Sequence, residues 1–451
     1  MPREVVKTLL ISFLVLPSMA FGALNPFADP VPLVPELTGE AVAQGDLDGD
    51  GDSDLMLLRD DYIWLLNDGD GQFLAPRSTN ASSPRGHFHV GVADADGDGD
   101  LDIFHMNTDL NEARVFIDQN GQGNYTMKVL GTAPDAIGFA DIGDIDGDGD
   151  VDMVFTDRDD YLVMLARNNG YGDFDPVEII AEANGQPGKL PGPPGPFVLG
   201  DFNGDDRLDI GGRVPFSAEM WELRNTPTGF VPRRLISSPV GNVSWWGMHA
   251  ADVDADGDDD IVFGSRSVFG QLDSEFLGFI EMRNGSGRLQ KVYSTTERGH
   301  WYNTQLGDFD LDGDLDIVRN GADREGLYYH EFDGGAFAEE AVELEEPRGN
   351  WVVPLRTAAP ADVDGDGDVD MIANYRAAPQ FYSNETVNEA IVNSFTTNRE
   401  TIRTGQSATL TWDVSFADRI EIEPGVGNVT SRPSAIVRPQ ETTTYTLSAF
   451  R

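Results

Sequence analysis

The stretch Asp46-Leu47-Asp48-Gly49-Asp50-Gly51-Asp52-Ser53-Asp54 decides how the rest of the chain is read. Aspartates stand at positions 1, 3, 5, 7 and 9. Oxygen donors at such alternate positions wrap a single hard cation, position 7 usually through its backbone carbonyl. Glycine at position 6 permits the sharp reversal that returns position 9 to the ion. Calcium suits this donor set better than magnesium, because it takes six to eight flexible oxygen ligands. The chain has no cysteine and no segment of this kind contains histidine, so zinc and copper have little claim.

Working outward, the segment recurs. Six more begin at Asp94, Asp144, Asp201, Asp252, Asp308 and Asp362, spaced 48, 50, 57, 51, 56 and 54 residues apart from the first onward. The expected ligands are Asp46, Asp48, Asp50, Asp52 and Asp54; Asp94, Asp96, Asp98, Asp100 and Asp102; and Asp144, Asp146, Asp148, Asp150 and Asp152. The fourth segment offers Asp201, Asn203, Asp205, Arg207 and Asp209. The last three offer Asp252, Asp254, Asp256, Asp258 and Asp260; Asp308, Asp310, Asp312, Asp314 and Asp316; and Asp362, Asp364, Asp366, Asp368 and Asp370. About seven calcium ions are therefore expected. The fourth copy departs from the pattern, with Asn203 at position 3 and Asp206 where glycine is usual, which points to a weaker site.

An EF-hand shares these nine positions but needs a bidentate Glu at the twelfth, where Leu57, His105 and Phe155 stand. Its flanks are helices, whereas here they are short apolar runs such as 55–58, 153–155 and 261–263. The loops belong in β-hairpins. A second signal follows each loop by about 20 residues: Asn67-Asp68-Gly69-Asp70-Gly71-Gln72-Phe73, Asn168-Asn169-Gly170-Tyr171-Gly172-Asp173-Phe174 and, more loosely, Arg283-Asn284-Gly285-Ser286-Gly287. Asn-Gly and Asp-Gly pairs mark tight hairpins. Four strands in about 50 residues make one propeller blade, and seven repeats predict an all-β, seven-bladed propeller.

The metal loop together with the N-x-G-x-G-x-F turn resembles the FG-GAP/VCBS-type repeat of integrin α-subunit propellers and of many secreted bacterial proteins, over roughly residues 36–390. The resemblance implies calcium loops on one face of the propeller and ligand binding on the other, in a cell-adhesion or binding role. The seventh copy runs Ser383-Asn384-Glu385-Thr386 without the Gly-x-Phe turn. Residues 23–40 are the candidate for a terminal strand lent to that last blade.

Composition supports an extracellular reading. The formal net charge is −47, and the seven segments carry −34 of it. Nucleic acid and anionic membranes are poor partners for such a chain. Arg3 and Lys7, an apolar run from Leu9 to Leu16 broken only by Ser12, and small residues at Ser18, Ala20 and Gly22 read as a secretory signal over residues 1–22. That run is shorter than the ~20 residues of a membrane span. The propeller is expected over 23–389, and no membrane span after the signal. From about Ala390 Thr and Ser become frequent. Gly405-Gln406-Ser407-Ala408-Thr409-Leu410-Thr411-Trp412 and Thr442-Thr443-Thr444-Tyr445-Thr446-Leu447 resemble bacterial Ig-like domains, implying a small β-sandwich over 390–451.

For a ligand site, the lead-ins to four first strands stand out: Arg85-Gly86-His87-Phe88-His89, Trp245-Trp246-Gly247-Met248-His249, Arg298-Gly299-His300-Trp301-Tyr302 and Arg348-Gly349-Asn350-Trp351. Arg85, His87, Trp246, His249, Arg298, His300, Trp301 and Trp351 are the candidate ligand-binding residues. A ring of Arg59, Arg158, Arg213, Arg266, Arg319 and Arg376 follows the second strands. Arginine outnumbers lysine 27 to 4, and its planar fork pairs with carboxylate or sulfate. An extracellular glycan, acidic in character, or a protein ligand is the expected partner. Two alternatives stand beside binding. One is a polysaccharide lyase drawing on His87, His249, His300, Tyr302 and Arg298; the other is a purely structural surface protein. No G-x-S-x-G or H-E-x-x-H motif is present, since His330-Glu331 continues as Phe332-Asp333-Gly334.

Overall fold

The computed structural model describes residues 6–8, 10–11, 26–28, 31–33, 40–58, 61–82, 87–182, 190, 194–214, 219–237, 243–254, 256–267, 275–282, 287–295, 304–320, 327–333, 336–337, 342–344, 360–375, 378–384, 391–399, 401–403, 406–415, 419–430, 432–439 and 443–450. All regular structure among them is β. The chain divides into two units. The larger comprises Phe27–Gly365 and Val369–Asn384, and the smaller Met1–Pro26, Asp366–Asp368 and Glu385–Arg451.

In the larger unit seven main sheets follow one another in chain order. Blade 1 is Glu40–Gly45, Asp54–Leu58, Asp61–Leu65 and Arg77–Ser82, each strand antiparallel to the next. Blades 2 to 5 repeat this order, starting at His87–Ala93, Ile137–Gly143, Phe197–Gly200 and Val243–Ala251. Blade 6 starts at Thr304–Gly307, and blade 7 holds Met371–Tyr375 and Ala378–Tyr382.

The second strands explain the ring. Asp54–Leu58, Asp102–Asn107 and Asp152–Asp157 are buried along nearly their whole length, because a neighbour covers each of their faces. Successive side chains point to opposite faces. Leu55 and Leu57 therefore pack with Val363 and Ile372 of blade 7, while Met56 packs with Ile103 and Phe116 of blade 2. Phe104 then meets Met153 and Phe155 of blade 3, and Val154 meets Ile210 of blade 4. Ile261 and Phe263 meet Val198 of blade 4, Val262 meets Ile317 of blade 6, and Val318 meets Met371 of blade 7. Each sheet packs on the next and the last on the first. The fold is a β-propeller.

The N-terminal segment completes blade 7. Val31–Pro32 pairs antiparallel with Phe381 and Gln380, Phe27 bridges Asn384, and Ala28 N–H donates to the Ser383 carbonyl at 2.8 Å. The Phe27 ring meets Phe309 edge-on at 5.2 Å. The strand lent from residues 23–40 is thus present.

In the smaller unit one sheet joins Ile391–Thr397, Ala408–Ser415 and Ser434–Val437. A second joins Arg419–Glu423, Gly427–Asn428 and Thr444–Phe450. Phe395, Leu410, Trp412, Ile422 and Leu447 are among the residues of their shared core. Two short pieces of the expected signal, Val6–Thr8 and Leu10–Ile11, pair with Thr401–Arg403 and Thr444–Tyr445. No helix among the described residues is long and apolar enough to cross a membrane.

Candidate metal centres

Each loop is shaped by its own backbone. In blade 1, Asp46 Oδ1 accepts the N–H of Gly49 at 2.7 Å and of Asp50 at 3.0 Å, and Oδ2 accepts Gly51 N–H at 3.0 Å. Asp94 and Asp144 do the same in blades 2 and 3. The turn needs left-handed backbone at two positions, not one: Gly49 has φ 80° and Gly51 has φ 98°. Leu311 takes the first of these in blade 6 with φ 61°, and Asp206 the second in blade 4 with φ 62°. A side chain there costs ~1–2 kcal/mol.

Position 9 has a second duty beside that of candidate ligand. Asp54 is fully buried; its Oδ2 accepts Leu47 N–H at 2.9 Å and its Oδ1 accepts Asn67 N–H at 2.7 Å. The pattern recurs at Asp102, Asp152, Asp260, Asp316 and Asp370. One carboxylate thus ties the metal loop to the end of the third strand. Position 7 turns elsewhere. A side chain on Gly69, Gly121 or Gly170 would collide with the carboxylate of Asp52, Asp100 or Asp150, so these acids lie against their own blade's glycine turn. That agrees with position 7 offering its carbonyl.

What remains converges. Oxygens of Asp46, Asp48 and Asp50 lie within 4.8 Å of one another, as do those of Asp94, Asp96 and Asp102; Asp144, Asp146 and Asp152; Asp252, Asp254 and Asp260; and Asp308, Asp310 and Asp312. Asp48 Oδ1, Asp96 Oδ1 and Asp308 Oδ1 are buried with no hydrogen-bond partner among the described residues. Burial, followed by repulsion from neighbouring carboxylates, pushes the Asp48 and Asp96 carboxyls above their ordinary range. Burial likewise pushes Asp54 up to about 6, and Asp102, Asp152, Asp260 and Asp370 to about 7. Buried, crowded, partnerless carboxylate oxygens fit a divalent cation bound by oxygen.

Blade 4 differs in detail. Asn203 Nδ2 donates to Asp209 Oδ2 at 2.9 Å, where the other blades bring the position 2 N–H. Phe202 N–H instead reaches the Gly200 carbonyl at 3.2 Å. Arg207 Nη1 lies 3.9 Å from Asp205 Oδ2. An amide and a guanidinium thus stand among the loop's acids.

The loops are also joined around the ring. Asn67 Nδ2 donates to the Val363 carbonyl in the loop of blade 7 at 2.6 Å. Asn168, Asn225 and Asn384 reach Ala95, Ile145 and Phe309 in the same way. The turn motif had marked Asn67 and Asn168 only as hairpin residues. Their recurrence 13–16 residues after position 9 is the signal for this latch.

The expected ligand-binding residues are only partly visible. Arg85, Arg298, His300, Trp301 and Trp351 lie outside the described residues, as does Tyr302. His87 and Trp246 fall in first strands, at the edges of blades 2 and 5, and their side chains are outside the description. His249 Nε2 is buried with no partner among the described residues, and burial lowers the pKa of its imidazole. The arginine ring is not uniform. Arg158 is exposed beside Asp159, but Arg213 and Arg319 are buried. Arg319 Nε donates to His330 Nε2 at 2.8 Å, and its guanidinium stacks 4.3 Å from the Tyr328 ring centroid. Those two arginines belong to the interior, because the wide face of the second strand there is covered. His105 is interior too, with Nδ1 3.0 Å from Tyr62 Oη.

With this geometry in hand, known families can be compared. The FG-GAP-like repeat matches residues 46–105 and 144–211. Those two regions carry FG-GAP-like repeats. Among solved structures, an Agrocybe aegerita lectin described as recognising non-reducing terminal N-acetylglucosamine is similar, with 18% identity over 77% of this chain and 85% of that one, at a TM-score of 0.50. The Dos1 propeller shares 10% identity over 79% and 94%, at a TM-score of 0.47. A Bacillus licheniformis rhamnogalacturonan lyase shares 14% over 80% and 76%, at 0.43. These likenesses concern the fold. No curated protein matches the chain by sequence.

Proposed function

We propose that this FG-GAP-like repeat propeller is a secreted, calcium-loaded binding module that holds an acidic glycan outside the cell or at its surface, and that it binds rather than catalyses. The observation that carries the calcium reading is the set of buried, partnerless aspartate oxygens, Asp48 Oδ1 and Asp96 Oδ1 among them, inside convergent acid clusters. Three to five carboxylates in one loop repel one another without a cation. With no cysteine in the chain, calcium takes the stapling role that disulfides play in many extracellular proteins. The smaller β unit then serves as a spacer or attachment module.

The glycan reading rests on the arginine excess and on the aromatic and histidine lead-ins. Stacking plus a bidentate ion pair is a physically sound way to hold a charged sugar. The fold has a carbohydrate-binding precedent in the Agrocybe aegerita lectin. A glycan array run on calcium-loaded protein, with uronate release followed in the same wells, tests this function. Binding without release is expected; release of unsaturated uronate contradicts it in favour of a lyase. Within the site, Trp301→Ala is expected to abolish glycan binding with a nearly unchanged melting temperature. Unfolding several degrees early would instead make Trp301 a packing residue.

A further inference from the structure

In blades 1 and 3 the turn between third and fourth strands lies against the acid-rich loop of the preceding blade. A Cβ on Gly71 of blade 1 would lie 3.0 Å from the Asp364 Cβ, and one on Gly172 of blade 3 would lie 3.0 Å from the Asp96 Cβ. Both touched residues hold position 3 of the preceding loop. Blade 4 does otherwise. Its turn, Thr226-Pro227-Thr228-Gly229, closes on itself, with Thr226 Oγ1 donating to the Gly229 carbonyl at 2.6 Å, and a Cβ on Gly229 would meet nothing within 4 Å. The Asn225 latch to Ile145 still holds the blade in register. Over Asp146, position 3 of blade 3, a cleft of about 340 Å³ opens where blades 1 and 3 place glycines.

Two arginines, Arg167 and Arg207, line that cleft together with two acids, Asp146 and Glu178, both of which pair with Arg167. Arg167 is fixed, with Nη1 2.8 Å from Asp146 Oδ2. Arg207 is not: its closest described carboxylate oxygen is 3.9 Å away and its side chain is 41% exposed. It holds position 7, where the acids of blades 1 to 3 lie against the glycine turn. The substitution of arginine for aspartate and the loss of the glycine turn therefore coincide at one place. Ile179, 53% exposed, and Phe230 supply an apolar wall. A cleft of this size, lined by both charged and apolar side chains, fits one or two sugar rings.

We infer that the cleft between blades 3 and 4 is a second subsite for an anionic sugar, whose carboxylate or sulfate pairs with Arg207 while the ring's apolar face rests on Ile179 and Phe230. This rests on the acidic-glycan reading above, but it moves binding to the calcium-loop side of the ring. Because Arg167 is anchored through Asp146, calcium in the blade 3 loop also sets the shape of the cleft.

The test uses the full calcium-loaded chain and calorimetry with three probes: a hyaluronan hexasaccharide, a heparin hexasaccharide and neutral maltohexaose. One or both anionic probes are expected to bind, the tighter one identifying the anion, and maltohexaose is not. Arg207→Glu and, independently, Ile179→Asp should each weaken binding by about tenfold or more. Ile179 is solvent-facing and outside the acid-rich loops, so the melting temperature of Ile179→Asp should hold. Arg399→Glu, in the smaller unit, serves as the charge control and should bind as the parent does. Parent-like affinity in both variants overturns the cleft and leaves the glycan reading standing. Equal binding of maltohexaose overturns the anion-recognition claim. Failure of the parent to bind any probe overturns the glycan reading and the cleft with it.

Discussion

The metal loops of blades 3 and 4 follow one nine-residue pattern and solve its charge problem differently. In blade 3, Asp144, Asp146 and Asp152 hold oxygens within 4.8 Å of one another, and the basic group that meets them, Arg167 at 2.8 Å from Asp146 Oδ2, comes from outside the loop. In blade 4 part of the relief is internal, because the Asn203 amide donates to Asp209 and Arg207 stands by Asp205. The difference teaches that a repeat keeps its backbone form longer than its ligand set. Asp201 still accepts the N–H groups of Asp205 and Asp206 as Asp144 accepts those of Asp148 and Gly149.

The largest effect is expected where both duties of position 9 are lost. Asp152→Ala removes a candidate ligand and strands the N–H groups of Ile145 and Asn168, which should cost about 3 kcal/mol or more in millimolar calcium. Asp209→Ala should cost less in calcium, and the two variants should converge in EDTA. Urea midpoints with and without chelator check this; a gap that persists in EDTA breaks the comparison.

Next comes position 3. Asp48→Ala should lose about 2 kcal/mol in 5 mM calcium, the linkage expected for one site of ~10⁻⁴ M affinity. Asn203→Ala loses only a neutral hydrogen bond, about 1 kcal/mol. A reversed ranking of urea midpoints would count against a metal role for blade 1.

Acid and calcium should act with opposite signs. In the calcium-free chain the position 9 carboxyls sit at about 6 to 7 against an ordinary value of 3.8, so the folded form binds more protons than the unfolded one between these values. Their contribution is full below pH 4 and is lost as the pH rises through 7. The calcium-loaded chain should do the reverse, losing stability on acidification as protons displace the ion. Melting curves at pH 5 and pH 8, with EDTA and with calcium, would show parallel slopes if the loops bind no cation.

The smallest effect concerns the backbone. Leu311→Gly relieves a left-handed leucine and should gain about 0.5–1 kcal/mol. Asp206→Gly should gain less, since aspartate tolerates that conformation. A loss at Leu311 in thermal melts would mean that its side chain has a packing role outweighing the strain.

The loops were legible because aspartate and glycine recur in them at fixed positions, and the blade-closing strand was legible because residues 23–40 had no other assignment. Burial was not legible from spacing. Arg213 and Arg319 lie within second strands and are buried, whereas Arg158 lies in the turn just past the end of its strand and faces water. The asparagine latch was hidden for another reason. Its partner is a backbone carbonyl 73 to 296 residues away, and a carbonyl leaves no mark in sequence. The blade 4 cleft was hidden too, because it arises from a turn that is absent.

The most direct test is the calcium content of the chain, measured by elemental analysis after gentle desalting from millimolar calcium. Six to seven ions per chain are predicted, with blade 4 the first site to empty. Two ions or fewer would contradict the account.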